Sequence, residues 1–151
     1  QFVDQFITFG GSGLTLGLVC TMLYFSKSRQ YKELGKLSII PGLFNINEPI
    51  IFGFPVVFNP IMAIPFILAP VISAIMVYVS IATGIVEPFR AISVPWTTPF
   101  IISGFLIGGV KAAILQIAVF SMTVAVYFPF FKYQDKLAYI EEQKIGTEAT
   151  V

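Results

Sequence analysis

Histidine is absent from this sequence, cysteine occurs once, and charged side chains are scarce. Without histidine, the chain cannot supply an imidazole base, a histidine metal ligand or a phosphohistidine. The one cysteine, Cys20, lies in an apolar run and can form neither an intrachain disulfide nor a thiolate cluster, so we interpret it as a packed helix residue. We therefore expect neither a bound metal ion nor a cofactor.

The shortage of charge points to a lipid environment. Charged residues make up 11% of the 151 residues and hydrophobic ones 56%, with a mean hydropathy of +0.87. Soluble domains carry roughly 25% charged residues, so this chain has too few to cover a soluble globule. A net charge of +1 gives no reason to expect a nucleic acid partner. Because the chain opens with Gln1 and has no signal-peptide pattern, we expect the latter part of a longer membrane protein.

Three long apolar runs are predicted to cross the membrane as helices, because each reaches the roughly 20 residues that a crossing needs. They are residues 5–26, 61–86 and 112–131. Two further apolar segments, 37–59 and 91–109, are broken by proline, glycine and asparagine, so we expect re-entrant or broken helices there, either buried against protein or lining a watery cavity. The predicted fold is an all-α polytopic membrane protein, with a membrane portion at residues 1–131 and a polar cytoplasmic tail at residues 132–151.

Basic residues are concentrated in two places. Seven of the nine lie in the 27–36 loop or in the tail: Lys27, Arg29, Lys32, Lys36, Lys132, Lys136 and Lys144. By the positive-inside rule, both segments are predicted to be cytoplasmic. This layout requires segment 37–59 to dip into the membrane and return, since a full crossing there would put the tail outside.

The run Asn45-Ile46-Asn47-Glu48-Pro49 is the most informative part of the sequence. Pro49 disfavours helical backbone at Glu48 and itself suits the first turn of a helix. A half-helix is therefore predicted to start there, with Asn47 or Glu48 at its cap. An ionisable residue inside a membrane segment is costly unless it faces a cavity or a partner, which makes Glu48 a candidate binding residue. The alternative is that Glu48 only caps the helix in an interfacial loop.

A second broken element spans residues 93–100, where Thr98 is predicted to cap a half-helix that begins at Pro99. Trp96, the only tryptophan, stands just before that start. One interpretation of Trp96 is an interfacial anchor. The other is a stacking surface for the apolar face of a sugar ring, placed beside a buried acid and amide.

Two further patterns, a glycine-rich stretch and a pair of opposite charges, have a simple structural interpretation. The glycine-rich stretch 10–13 is predicted to be a flexible segment rather than a nucleotide cradle, because no strand precedes it. Glu87 and Arg90 are predicted to form an ion pair at the outer rim, with a role in substrate entry as the alternative.

Two stretches together, Asn45 to Gly53 and Val94-Pro95-Trp96-Thr97-Thr98-Pro99, resemble enzyme IIC, the membrane subunit of the bacterial phosphotransferase system. The closest likeness is to its lactose/cellobiose/chitobiose family. The resemblance extends over nearly the whole chain, from about Phe9 to Glu142. It implies the C-terminal part of a multi-pass permease of the bacterial inner membrane, which works as a homodimer within the lipid bilayer.

The resemblance also implies a disaccharide substrate that a separate cytosolic IIB subunit phosphorylates during uptake. In such proteins the acid of the Asn-Glu-Pro run and a nearby tryptophan hold the sugar, so Asn47, Glu48 and Trp96 are the expected substrate-binding residues. Glu48 is also the expected catalytic residue if it takes up the hydroxyl proton, whereas the phosphoryl donor belongs to IIB. The family also uses a histidine, which this chain lacks, so the N-terminal half of the permease is an expected partner. The rival hypothesis is a small scaffold or channel-like subunit with Glu48 lining a pore.

Overall fold

The computed structural model describes residues 3–54, 56, 58–88 and 92–149, and all secondary structure within these ranges is helical. Five α-helices follow two short helical turns, Val3–Ile7 and Ser12–Leu14. The helices are α1 (Leu16–Phe25), α2 (Arg29–Leu43), α3 (Glu48–Gly53), α4 (Pro60–Ala82) and α5 (Ile102–Glu148). The all-α prediction is confirmed for the described ranges.

The first predicted span is not one straight helix. Its two parts, Val3–Leu14 and α1, are bent by 53° relative to each other. The bend coincides with Gly10, Gly11 and Gly13, whose φ angles of 72°, 91° and 78° lie in the left-handed region that favours glycine. Within the described residues, α4 and α5 are each long and apolar enough to cross a membrane, and the bent pair makes a third candidate if it counts as one span.

Helix α4 begins almost where the second span was predicted. The Asn59 Oδ1 atom accepts hydrogen bonds from the Ile61 and Met62 backbone N–H groups at 3.0 and 3.4 Å, and Pro60 follows at the first helical position. The helix stops at Ala82, before the predicted end at residue 86, and Gly84 then adopts a φ of 74°. Arg90 lies outside the described residues, so its ion pair with Glu87 stays a prediction.

Helix α5 is much longer than the predicted span 112–131, because the helix continues through the predicted polar tail to Glu148. It also contains a reversal at Gly109, which has φ 70° and ψ −159°. Gln116 Oε1 accepts a hydrogen bond from Ile101 N at 2.6 Å, although a straight helix would separate residues 15 apart by about 22 Å. The short arm before Gly109 therefore folds back on the long arm, as expected for a broken segment.

The start of α5 differs from the prediction. Ile101, not Thr98, occupies the N-cap position, and no side chain caps the helix there. The N–H groups of Ile101 and Gly104, at the start of the helix, donate instead to the Gln116 Oε1 atom, at 2.6 and 3.1 Å. The assignment of Thr98 as a cap was therefore wrong, since an acceptor from beyond the fold-back serves these donors.

The core lies between α1, α4, α5 and the first helical turns. Its largest fully buried side chains are aromatic or aliphatic: Phe6, Phe9, Leu14, Met22, Ile107, Tyr127 and Phe131. Helix α4 also exposes a set of large apolar side chains: Ile64, Ile67, Leu68, Val71, Ile75, Tyr78 and Val79. Such a surface is stable against lipid or further protein, and not against water.

The connection after α1 lies against the polar extension of α5. Asp135, which is 2% exposed, accepts hydrogen bonds from Ser26 Oγ, Lys27 N and Ser28 N at 2.8 to 3.0 Å. Glu142 accepts from Ser28 Oγ at 2.6 Å and from the two following backbone N–H groups at 3.1 and 3.2 Å. These contacts place the two basic segments side by side, and their location on the cytoplasmic side of a membrane stays a prediction.

Candidate functional site at the turn between two helices

A polar cavity of about 320 Å³ lies where α2 turns into α3. Its lining residues come from four stretches of the chain: Asp4 and Thr8; Gly11 and Ser12; Asn45, Asn47 and Glu48; and Trp96. The structure thus brings together all three residues predicted to bind substrate, Asn47, Glu48 and Trp96. The cavity gathers carboxylates, hydroxyls, amides and one indole ring in an otherwise apolar protein.

The turn that carries these residues depends on Asn45, which the sequence analysis did not single out. Helix α2 ends at Leu43, and Ile46 N donates back to Pro41 O at 3.0 Å. Asn45 adopts a φ of 65°, a left-handed conformation that asparagine tolerates better than most residues. An asparagine just after a helix is a known stop signal and could have indicated this position.

The Asn45 side chain also ties three segments together. It is 8% exposed, and its Oδ1 accepts a hydrogen bond from Gly10 N at 2.6 Å. Its Nδ2 donates to the backbone carbonyl oxygens of Trp96 and Thr98, the latter at 3.3 Å. Asn45 therefore fixes the glycine-rich stretch and the tryptophan segment relative to the turn.

Asn47 stands at the N-cap of α3, as predicted, but its side chain does not cap the helix. Its backbone carbonyl oxygen accepts hydrogen bonds from the N–H groups of Ile50 and Ile51, both at 3.0 Å. The Asn47 Nδ2 atom instead donates to Ser12 O at 3.0 Å. The amide thus links the start of α3 to the glycine-rich stretch.

Gly11 is required for that approach. A Cβ atom at Gly11 would lie 2.2 Å from Asn47 Cγ, and its φ of 91° disfavours any larger residue. The neighbouring Gly13 carbonyl accepts a hydrogen bond from the buried Tyr127 hydroxyl at 2.6 Å. The stretch 10–13, predicted to be flexible, is therefore a wall of the cavity with specific contacts.

Glu48 is the first residue of α3, and its side chain is exposed at the cavity. Among the described residues, no donor forms a hydrogen bond or an ion pair with its carboxylate. The alternative that Glu48 is only a helix cap therefore finds no supporting hydrogen bond in the described part of the chain. A carboxylate at a helix N-terminus is stabilised by the helix dipole and can accept hydrogen bonds from a ligand.

Trp96 lies in a turn closed by a hydrogen bond from Thr98 N to Pro95 O at 3.0 Å. The residue is 59% exposed, while its backbone carbonyl is held by Asn45. An anchored backbone with an exposed ring presents an aromatic face beside the cavity.

Gln116 is a second residue that the sequence analysis missed. Besides the two bonds that its Oε1 accepts at the start of α5, its Nε2 donates to Gln5 O at 2.7 Å and to Ser103 Oγ at 3.0 Å. The side chain is fully buried. Gln5 in turn donates to Pro95 O at 3.5 Å, so this amide network joins the first helical turn to the tryptophan segment.

An all-helical chain with long apolar helices and a polar cavity built from broken helices has the architecture of a membrane transport protein. Comparisons with known proteins are more specific. The family described as "Phosphotransferase system, EIIC" matches residues 1–70. A Putative permease IIC component YwbA from Bacillus subtilis (strain 168) is 48% identical over 96% of this chain and 33% of its own length. A PTS system cellobiose-specific EIIC component from Geobacillus stearothermophilus is 51% identical over 95% of this chain and 32% of its own.

A solved structure agrees with these matches. The transporter ChbC, the IIC component from the N,N'-diacetylchitobiose-specific phosphotransferase system, superposes with a TM-score of 0.92 and 46% identity. The superposition covers 95% of this chain and 34% of that one. This chain is therefore related to the EIIC components of the phosphotransferase system, and the predicted resemblance is confirmed. It spans about one third of the length of the relatives it matches.

Proposed function

We propose that this chain is part of the membrane permease component of a sugar phosphotransferase system. In this proposal it binds a disaccharide and presents a hydroxyl for phosphorylation by a separate IIB subunit during uptake. The observation that carries the proposal is the shared cavity of Asn47, Glu48 and Trp96. The whole permease is a multi-pass protein of the bacterial inner membrane.

The hydrogen bonds around the cavity distinguish side chains that are bonded within the protein from side chains that can bind a ligand. Both polar atoms of the Asn45 side chain are used within the protein, which makes Asn45 a positioning residue. Asn47 uses its Nδ2 on Ser12, and its Oδ1 has no donor among the described residues, so it can accept a hydrogen bond from a sugar hydroxyl. The Glu48 carboxylate can accept a shorter, charge-assisted one.

Trp96 completes the match to a sugar. A pyranose ring has hydroxyls around its edge and an apolar C–H face, so its recognition combines polar acceptors with an aromatic surface. Glu48 and Asn47 supply acceptors, and the exposed indole ring supplies the surface.

Phosphoryl transfer then needs little more from this chain than positioning. As the sugar hydroxyl oxygen attacks the phosphoryl group held by IIB, its proton must leave, and Glu48 can take it. The phosphoryl donor and its leaving group belong to IIB.

The site is completed outside this chain. Glu48 and Trp96 are both exposed, as expected for one wall of a larger binding site. The other wall comes from the N-terminal half of the permease, which also supplies the family's histidine, and the assembled permease is a homodimer.

Tryptophan fluorescence tests this proposal in the full-length permease. Titration with cellobiose, lactose and chitobiose is expected to quench emission for the cognate sugar. The Trp96→Phe variant is expected to lose that change. The Trp96→Leu variant is expected to weaken binding, measured by calorimetry, by roughly 5-fold, since an aromatic contact contributes on the order of 1 kcal/mol. Binding by Trp96→Leu at the wild-type level, together with sugar-independent ion conductance of the reconstituted protein, would support the channel hypothesis instead.

A further inference from the structure

A second cavity, of about 540 Å³, lies at the opposite end of α2 from the sugar site, beside the polar extension of α5. Its lining residues come from the connection after α1 and from α5: Lys27, Lys132, Tyr133, Asp135, Lys136, Tyr139 and Ile140. Neither the family resemblance nor the proposed function assigns a role to it.

The charge of this cavity is unbalanced. Three lysines line it against one aspartate, which gives a formal net charge of +2. The Asp135 carboxylate is buried and engaged by three hydrogen bonds from Ser26, Lys27 N and Ser28 N. Within the described ranges, Lys36 forms an ion pair with Glu33, whereas the ammonium groups of the three cavity lysines make no such pair. Together these cations favour an anion.

The cavity also lies at the boundary of the apolar part of the molecule. The rings of Phe25, at the end of α1, and Phe128, on α5, meet edge to face at 5.1 Å. The Lys132 Nζ atom sits 5.6 Å from the centre of the Phe128 ring. Lys132 directly follows the apolar run, and Lys136 lies about one helical turn further along α5. When an apolar helix spans a bilayer, residues just beyond its apolar run lie at the depth of the lipid phosphates.

We propose that this cavity binds the phosphate of an anionic glycerophospholipid in the cytoplasmic leaflet. The ammonium groups of Lys27, Lys132 and Lys136 surround the phosphodiester, and the Tyr133 hydroxyl, at the same level, can donate a further hydrogen bond. A bound lipid would brace the α5 extension against the connection after α1. The cavity lies at the end of the apolar run, beside Phe25 and Phe128. This position favours a lipid over an acidic protein, because a protein in solution could bind lysines further from the membrane.

Native mass spectrometry of the full-length permease tests the proposal. Phosphatidylglycerol and phosphatidylcholine are added separately to the delipidated protein in detergent, and retained lipid is counted. The double variant Lys132→Gln/Lys136→Gln is compared with Lys32→Gln/Lys36→Gln, which removes the same charge from exposed positions on α2. Neutralising two cavity lysines is expected to weaken phosphatidylglycerol binding by about 30-fold and to leave phosphatidylcholine unchanged, whereas the control pair changes binding less than about 3-fold.

Three results would overturn the lipid assignment. Equal loss in both double variants would mean that only overall charge matters. Displacement of phosphatidylglycerol by millimolar inorganic phosphate would identify a site for a free anion. Unchanged lipid retention combined with weaker IIB-dependent phosphorylation would assign the surface to an acidic protein partner. The single variant Lys27→Gln and the charge-preserving pair Lys132→Arg/Lys136→Arg keep the test decisive if the first double variant fails to insert.

Discussion

The two ends of α2 differ in the hydrogen bonds that their polar side chains make. At the start of α2, backbone N–H groups donate to carboxylates from the distant helix α5. At the far end, the side chains that follow α2 bond to backbone groups of distant segments. At the start of α2, Asp135 and Glu142 accept six hydrogen bonds between them. At the far end, Asn45 and Asn47 make the structural contacts, while the Glu48 carboxylate has no donor among the described residues.

Glu142 and Glu48 differ in the partners of their carboxylates. Both glutamates lie beside a helix N-terminus, where the helix dipole favours a carboxylate. Glu48 is the first residue of α3, whereas Glu142 belongs to α5 and reaches the start of α2 only through the fold. Glu142 is bonded to Ser28 and two backbone N–H groups, whereas Glu48 opens onto a cavity. The Glu142 carboxylate is therefore engaged within the protein, whereas the exposed Glu48 carboxylate is available to a ligand in the cavity.

The largest expected effect is on phosphoryl transfer. Glu48→Gln keeps the side-chain shape and removes the charge, and phosphorylation of the sugar by IIB is expected to fall by roughly 10²–10⁴-fold if the carboxylate takes up the hydroxyl proton. Glu141→Gln, an exposed change on α5, serves as the control. Steady-state phosphorylation with purified full-length permease and IIB measures both. Equal rates in the two variants would remove Glu48 from the chemistry.

Gly11→Ala is expected to have the next largest effect. The added Cβ would lie 2.2 Å from Asn47 Cγ at a φ unfavourable for alanine, so strain of about 1–3 kcal/mol must be relieved by moving Asn47 or the glycine-rich stretch. Sugar affinity is expected to fall by roughly 5–150-fold, measured by calorimetry. Gly146→Ala, where a Cβ has open space, is the matched control. Wild-type affinity in Gly11→Ala would show that the Gly11–Asn47 contact does not shape the site.

Asn45→Asp tests the positioning role at the site end. The substitution replaces the Nδ2 donor by an oxygen facing the carbonyls of Trp96 and Thr98, which is expected to cost about 1–3 kcal/mol of stability. Sugar affinity should fall with it, because the Trp96 segment loses its tether. A variant that unfolds at a lower temperature but binds sugar normally would make Asn45 structural only.

Asp135→Asn probes the opposite end of α2. Replacing a buried carboxylate that accepts three hydrogen bonds is expected to lower stability by about 1–2 kcal/mol. Sugar affinity is expected to stay within about 2-fold of wild type, since a purely structural contact contributes to folding and not to ligand binding. Thermal unfolding in detergent and calorimetry measure the two quantities. A large loss of affinity at normal stability would mean that the two ends of α2 are coupled.

The smallest effect is expected from topology probes. Lys32→Cys and Lys144→Cys, each in a Cys20→Ser background, should leave transport unchanged because both positions are exposed. A membrane-impermeant maleimide is expected to label both only from the cytoplasmic side. Labelling of either position from outside would overturn the predicted layout and the re-entrant interpretation of residues 37–59.

The parts of the fold predicted correctly are those with a local physical cause. The start of α3 was predicted from Pro49 after Glu48. The Asn59–Pro60 start of α4 is a local signal of the same kind that was not used. Apolar length alone identified α4 and the central part of α5. The likeness to EIIC components rested on the Asn-Glu-Pro run and the tryptophan segment, and the relatives confirm it.

The features of the fold and of the site that were not predicted depend on contacts between residues far apart in sequence. No local pattern indicates that Gln116 supplies the acceptor for the start of its own helix, because this requires the reversal at Gly109. The same holds for Asn45, whose partners lie at Gly10 and Trp96. The glycines of the first span are visible in the sequence, but the close approach of Leu16 to Gly10 and of Asn47 to Gly11 is not.

Equilibrium binding of the cognate disaccharide to wild-type, Glu48→Gln and Glu142→Gln full-length permease tests directly whether Glu48 belongs to the sugar site. We expect Glu48→Gln to weaken binding by about 1–3 kcal/mol, since a charge-assisted hydrogen bond to a sugar hydroxyl is lost. We expect Glu142→Gln to leave the affinity within about 2-fold of wild type, because the hydrogen bonds of Glu142 lie within the protein. Wild-type binding by a normally inserted Glu48→Gln protein, together with phosphorylation of the sugar by IIB at the wild-type rate, would contradict the assignment of Glu48 to the site.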